Sequence, residues 1–300
     1  MSIARVGSVD IAYQEFGRAG DPAVLLIHGL GTPLTGWPDS FVQGLVGKGF
    51  RVVRHDNRDI GRSTHLTSLG TPDPSGMMAK LARGEAVEPP YPLDAMAADA
   101  AGLLDALGVA RAHIVGASMG GMIAQLVAIR HPKKAASLVS IMSTTARPGL
   151  PSARPEAMQA LMAGPASPSR EDRLAVAMRS VRAISGPGFV PSDAELSAYL
   201  LRSIDYTPFD PPAFLRQLAA IVTAPPRNAM LAKLALPALV LHGKDDPVVR
   251  VEHGEDTAKS IPGARLVVVP GMGHEFSEKL MPVFDREIGG FVADLEAAKV

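Results

Sequence analysis

The residues of this chain best placed to do chemistry centre on a serine between glycines. Gly116-Ala117-Ser118-Met119-Gly120 lies between an apolar run (Ile114, Val115) and a run with helical spacing (Met122, Ile123, Leu126, Val127, Ile129, Arg130). A strand, sharp turn and helix in that order lift the central hydroxyl above a sheet edge beside a helix N-terminus, and the glycines leave room where side chains would collide. The N–H of the next residue, Met119, then faces the place where an oxyanion would form. That placement suits a nucleophile. The pattern alone is weak, because with 29 Gly and 20 Ser in 300 residues roughly 0.2 matches are expected by chance.

A nucleophilic serine needs a base, and the base needs an orienting acid. Residues at the carboxyl ends of parallel strands meet at one edge of the sheet, so candidates should follow strands. Two loops qualify. Gly243-Lys244-Asp245-Asp246-Pro247 follows the apolar run 237–242, and Pro270-Gly271-Met272-Gly273-His274-Glu275 follows 265–269. They supply His274 as a base and either Asp245 or Asp246 as an acid, in the chain order serine, acid, histidine. Of the other histidines, His28, His55, His113 and His242 sit at strand edges and read as structural, with His28 bracing the loop after its strand; His65, His131 and His253 read as surface residues.

The elements that must position these groups follow from periodicity. Residues 3–17 read as an edge hairpin about Gly7-Ser8. The short unbroken apolar runs at 23–28 and 51–55 suit strands covered on both faces. An amphipathic helix is expected over 93–107, stopped by Gly108, and a further strand over 137–142. This alternation implies a parallel sheet with helices on both faces. From about 145 to 234 it stops, and helical patterns near 154–163, 170–184, 192–204 and 211–222 suggest an inserted helical lid, with Met158, Met162, Met178 and Met230 as packing residues, some able to line an adaptable pocket. The α/β pattern resumes with strands at 237–242 and 265–269, a helix near 250–260 and a last helix over about 279–297. The expectation is an α/β core of residues 1–144 and 235–300 with a lid of 145–234. Residues 67–92 read as a long loop with one helical turn, a kind that tends to be functional or mobile.

Composition narrows the function. Thirty basic and thirty acidic residues balance, leaving no electrostatic footprint for nucleic acid or an anionic membrane. Without cysteine, disulfides and thiolate chemistry are excluded. No uninterrupted apolar stretch is long enough to span a membrane. The N-terminal M-S-I-A-R-V-G-S-V-D-I-A-Y alternates like a strand and lacks the layout of a secretory signal, so a cytoplasmic location is expected. No His-Glu-x-x-His, phosphate-cradling glycine loop or Ser-x-x-Lys occurs, which argues against a metal, a nucleotide cofactor and the β-lactamase type of serine enzyme.

With H-G at 28–29, D-N-R-D-I-G-R-S at 56–63, G-A-S-M-G at 116–120, L-H-G-K-D-D-P at 241–247 and G-M-G-H at 271–274, the chain resembles the α/β-hydrolase superfamily over nearly its whole length. G-W-P at 36–38, R-D-I-G-R-S-T at 58–64 and I-P-G at 261–263 are most similar to the aclacinomycin methylesterase-type carboxylesterases. The resemblance implies the α/β-hydrolase fold, with Ser118 as nucleophile, His274 as general base, Asp246 as the acid because it stands three residues after Gly243, and the N–H groups of Leu30 and Met119 as an oxyanion hole. Asp59 stands where many relatives carry glycine and reads as structural. The 67–92 segment looks longer than in the methylesterase itself, which leaves the substrate open.

The expected function is a serine carboxylesterase, free of cofactor and metal, acting through an acyl-enzyme on methyl or short-acyl esters of lipophilic small molecules, as a monomer or homodimer. Two alternatives remain at this point: a cofactor-free perhydrolase or haloperoxidase-like enzyme on the same triad, and a hydrolase-fold ligand receptor.

Overall fold

The computed structural model describes residues 1–207 and 209–299. Eight strands form one sheet in the order β1-β2-β4-β3-β5-β6-β7-β8. They are β1 (Ser2–Val6), β2 (Val9–Phe16), β3 (Ala23–Ile27), β4 (Arg51–His55), β5 (Ala112–Ala117), β6 (Ala135–Ile141), β7 (Ala238–Gly243) and β8 (Arg265–Val269). β1 and β2 pair antiparallel at one edge, β2 joins β4 antiparallel, and every later pairing is parallel. The α/β-hydrolase arrangement expected from the motifs is therefore present.

The helices before the insertion are α1 (Asp39–Gly47), α2 (Pro74–Ala82), α3 (Leu93–Ala106) and α4 (Met119–Arg130). Along the central strands successive side chains go to opposite faces. Leu25, Ile27 and Ile114 pack with α3 and α4, whereas Val24, Leu26 and Val115 pack with Phe41 and Leu45 of α1 and with the C-terminal helices. Both faces are dry, which explains why these strands read as continuous apolar runs rather than as alternation.

Between β6 and β7 lie α5 (Pro155–Met162), α6 (Arg170–Ile184), α7 (Asp193–Tyr206), α8 (Pro211–Val222) and the single turn α9 (Asn228–Leu231). After β7 come α10 (Val251–Ser260), α11 (Met281–Phe284) and α12 (Gly290–Ala297).

Several expectations change. Residues 74–82, read as part of a loop, form α2, which starts with proline at the first turn and with the Asp73 carboxylate accepting the Gly76 N–H; these are start signals and not breakers. The last helix runs without a break from Met281 to Ala297, as expected, with one wide turn of i→i+5 bonding at Asp285–Gly289 between its α-helical parts α11 and α12. His65 and His253 are not free surface residues: each is partly buried, His65 against Asp210 and His253 between the Thr144 hydroxyl and the Pro151 carbonyl.

Candidate active site

β5 enters the turn at Ser118, whose backbone is left-handed (φ 56°, ψ −120°). A non-glycine residue holds such a conformation only when its surroundings impose it. Here two glycines allow close approach: a Cβ on Gly116 would lie 2.0 Å from the Gly120 carbonyl oxygen, and one on Gly120 would lie 2.1 Å from that of Ile27. The turn is also bonded from three sides. Ser118 N–H donates to the Ile141 carbonyl, and the Ser118 carbonyl accepts from Gly121 N–H and from the Ser143 hydroxyl.

The three side chains picked out by sequence come together. Ser118 Oγ is 3.0 Å from His274 Nε2, and His274 Nδ1 is 2.7 Å from Asp246 Oδ2. A carboxylate only accepts, so Nδ1 carries the proton and Nε2 is left to accept from the serine hydroxyl. Asp246 is almost fully buried, and its other oxygen accepts the N–H groups of Val248 and Val249, both at 2.8 Å. Beside it, burial lowers the pKa of His242, which bonds the Val249 carbonyl. Asp245, the neighbouring candidate, points elsewhere and accepts the Gly271 N–H at 2.8 Å. It shapes the turn that precedes His274.

The loop after β3 lies against the serine, close enough that a Cβ on Gly29 would be 3.1 Å from Ser118 Cβ. Three bonds pin it: Asn57 donates to the His28 carbonyl, Gly29 N–H donates to His28 Nδ1, and Gly31 N–H donates to Gln217 Oε1 at 2.9 Å. The N–H groups of Leu30 and Met119 have no acceptor among the described residues. His28 stays neutral, since full burial drives its pKa down to about 3.

Among the other residues at the site, Glu275, Arg216 and Gln217 were not singled out from sequence, and Asp59 was read only as structural. Glu275 is buried, its Oε2 accepts Gly186 N–H and Gly273 N–H, its Oε1 has no partner, and burial pushes its carboxyl up to about 7. Asp59, at φ 66°, forms a two-bond ion pair with Arg216 of α8, both side chains fully enclosed, while Tyr91 donates to the same carboxylate. The adjacent polar pair Arg216-Gln217 in an otherwise apolar helix was the available signal. Tyr199 and Tyr206 tie α7 to the core through the Gly36 carbonyl and the Asp56 carboxylate.

Ser118 and His274 open on a cavity of about 550 Å³ whose far walls come from α5 to α8. Its lining is mostly apolar, with Met122, Met142, Met158, Met162, Phe214 and Phe276 prominent. Met178 is not among its lining residues, and Met230 lies on a different surface hollow.

Residues 22–279 match the family model described as the alpha/beta hydrolase fold. The chain is similar to the rhodomycin D methylesterase DnrP of Streptomyces peucetius, 32% identical over 282 residues that cover 85% of this chain and 86% of that protein. It is also similar to 3-oxoadipate enol-lactonase 2 of Acinetobacter baylyi, 28% identical over 87% of this chain and 85% of the other. Among solved structures, the enol-lactonase from Burkholderia xenovorans superposes with a TM-score of 0.70 at 24% identity, over 97% of this chain and 99% of that one, a likeness of fold.

Proposed function

We propose, from the premise that the chain belongs to the α/β hydrolase family and is a carboxylic ester hydrolase, that it works through a serine acyl-enzyme on methyl or other short-alcohol esters of bulky lipophilic acids. The observation that carries this reading is the continuous relay of 3.0 Å and 2.7 Å from Ser118 through His274 to Asp246.

In the first half-reaction Ser118 Oγ attacks the ester carbonyl while His274 Nε2 takes the hydroxyl proton. Asp246 holds the imidazole tautomer and stabilises the imidazolium as it forms. The free N–H groups of Leu30 and Met119 donate to the oxygen that becomes negative, a contribution of about 3 kcal/mol per donor in such sites. His274 then returns the proton to the departing alkoxide, leaving an acyl-Ser118. Water attacks that acyl group with His274 as base, the acid leaves, and the serine is regenerated. No cofactor is needed for these steps. Residues 145–234 act as a lid over the core of 1–144 and 235–300, which encloses the acyl part and suits a lipophilic substrate. No helix among the described residues is long and apolar enough to cross a membrane, and we read the enzyme as cytoplasmic.

Hydrolysis of p-nitrophenyl esters of increasing acyl length by wild type and Ser118→Ala, with mass spectrometry after phosphonate treatment, tests the reading. Turnover, its loss by a factor of about 10⁴ to 10⁶ in the variant and a covalent adduct on Ser118 are expected. Turnover that survives in Ser118→Ala, or phosphonate that labels no serine, overturns it.

A further inference from the structure

α6 presents one face to the cavity along its whole length. Arg173, Ala177, Ser180, Val181 and Ile184 line it, at the spacing that keeps residues on a single side of a helix. The C-terminal end of this face is fixed at the reacting groups, since His274 N–H donates to the Ile184 carbonyl at 2.8 Å. The other end is Arg173, about 16 Å away along the axis at 1.5 Å per residue.

Arg173 is out of place as a structural residue. It stands in the first turn of α6, where the helix dipole disfavours a cation. Arg170 shares that turn and is matched by two bonds to Asp205. Arg173 forms no ion pair among the described residues: one of its N–H groups donates to the Thr207 carbonyl, and its guanidinium lies over Phe209 with 6.0 Å to the ring centroid. Partial burial works against its charge. A partly buried cation that faces a mostly apolar cavity, and whose acting carboxylate, Asp205, is already held by two bonds to Arg170, is completed by an anion that enters the cavity.

We propose that Arg173 is an anion subsite, and that the preferred substrate is an ester whose acid part carries a second, free carboxylate at the end of the cavity remote from the scissile carbonyl. This deepens the esterase reading by naming the substrate's remote group. The guanidinium fork suits a carboxylate in a two-bond contact. Its position beyond the apolar stretch of α6 requires that the segment between the two groups be lipophilic.

The test separates binding from hydrolysis. Monomethyl esters of α,ω-dicarboxylic acids, with the methylene chain varied from short to long, are titrated calorimetrically against Ser118→Ala beside methyl esters of the matching monoacids. We expect the acid-terminated ester to bind at least about tenfold tighter, a typical loss for one charge-assisted contact, only where its extended length spans the two sites. The preference should disappear in Ser118→Ala/Arg173→Gln, survive in part in Ser118→Ala/Arg173→Lys, and fall with added salt. An affinity ratio near one at every chain length overturns the proposal. So does an equal loss for both ester series in Arg173→Gln, which would leave Arg173 only the task of tying α6 to Thr207. Because binding is measured without turnover, a failure of the esterase reading shows separately, as absence of methanol release when wild type is given the same esters.

Discussion

The sheet edge and the helices above it are built by different means. Ser118, Asp246 and His274 sit where strands end, on turns whose shape is enforced by backbone contacts and by a helix, α4, that buries ten of its twelve residues. Of the inserted helices, α5, α6 and α7 bury one, two and one residues, whereas α8 buries five of twelve. Polar ties hold α7 and α8 to the core, from Arg216 to Asp59, Gln217 to Gly31, Tyr206 to Asp56 and Tyr199 to Gly36. The contrast separates two tasks. A relay that must be correct to a fraction of an ångström is set in the core, while the cavity wall that selects the substrate rests on parts that can be exchanged one at a time.

The largest effect that tests this contrast lies in the relay. Asp246→Asn should lower kcat by about 10⁴-fold with the melting temperature little changed, whereas Asp245→Asn, which touches only the Gly271 N–H, should cost far less. Equal losses in steady-state kinetics would mean that the acid has been misassigned.

The ties of the insertion come next. Asp59→Asn leaves Arg216 enclosed without its counter-charge and should cost about 3–5 kcal/mol in denaturant unfolding. Adding Arg216→Met should recover part of that loss. A change below about 1 kcal/mol would show that the insertion does not depend on its ion pair.

Glu275 joins the two regions, and its effect is smaller and depends on pH. Its carboxyl holds a proton up to about 7 in the folded chain but only to about 4.3 in an unfolded one. Between these values the native state binds more protons, so stability present at low pH is lost as pH rises through the window. The cost above it is about 3–4 kcal/mol. Glu275→Gln should therefore raise the melting temperature at pH 8 and leave it nearly unchanged at about pH 4, below the unfolded value, as thermal melts at the two values would show. Parallel shifts would remove the carboxyl from the account.

Much of the core was legible because its signals are local. Apolar runs bounded by glycine mark β3, β5 and β7, and the three relay residues each follow such a run. The helices α5 to α8 were placed nearly to their ends by periodicity. Beside the single turn α9, helices α1 and α2 escaped this reading. α1 starts after Gly36-Trp37-Pro38, and α2 contains Pro74 and Gly76, so in both the breakers are more conspicuous than the period. The remaining site residues act across the chain. Gln217 reaches Gly31 over 186 positions and Glu275 reaches Gly186 over 89, and no local pattern encodes which distant N–H a side chain will meet. Asp59 was legible only as a departure from glycine, without the Arg216 that explains it.

The junction of α6 with the histidine loop carries one more consequence. Gly186 and Gly188 meet Gly271 and Gly273 backbone to backbone, so closely that a Cβ on Gly186 would stand 2.3 Å from the Gly271 carbonyl oxygen. The C-terminal end of the helix that lines the cavity is therefore seated directly on the peptide that carries the base, so that a displacement of this one end would reach the relay as well as the cavity wall.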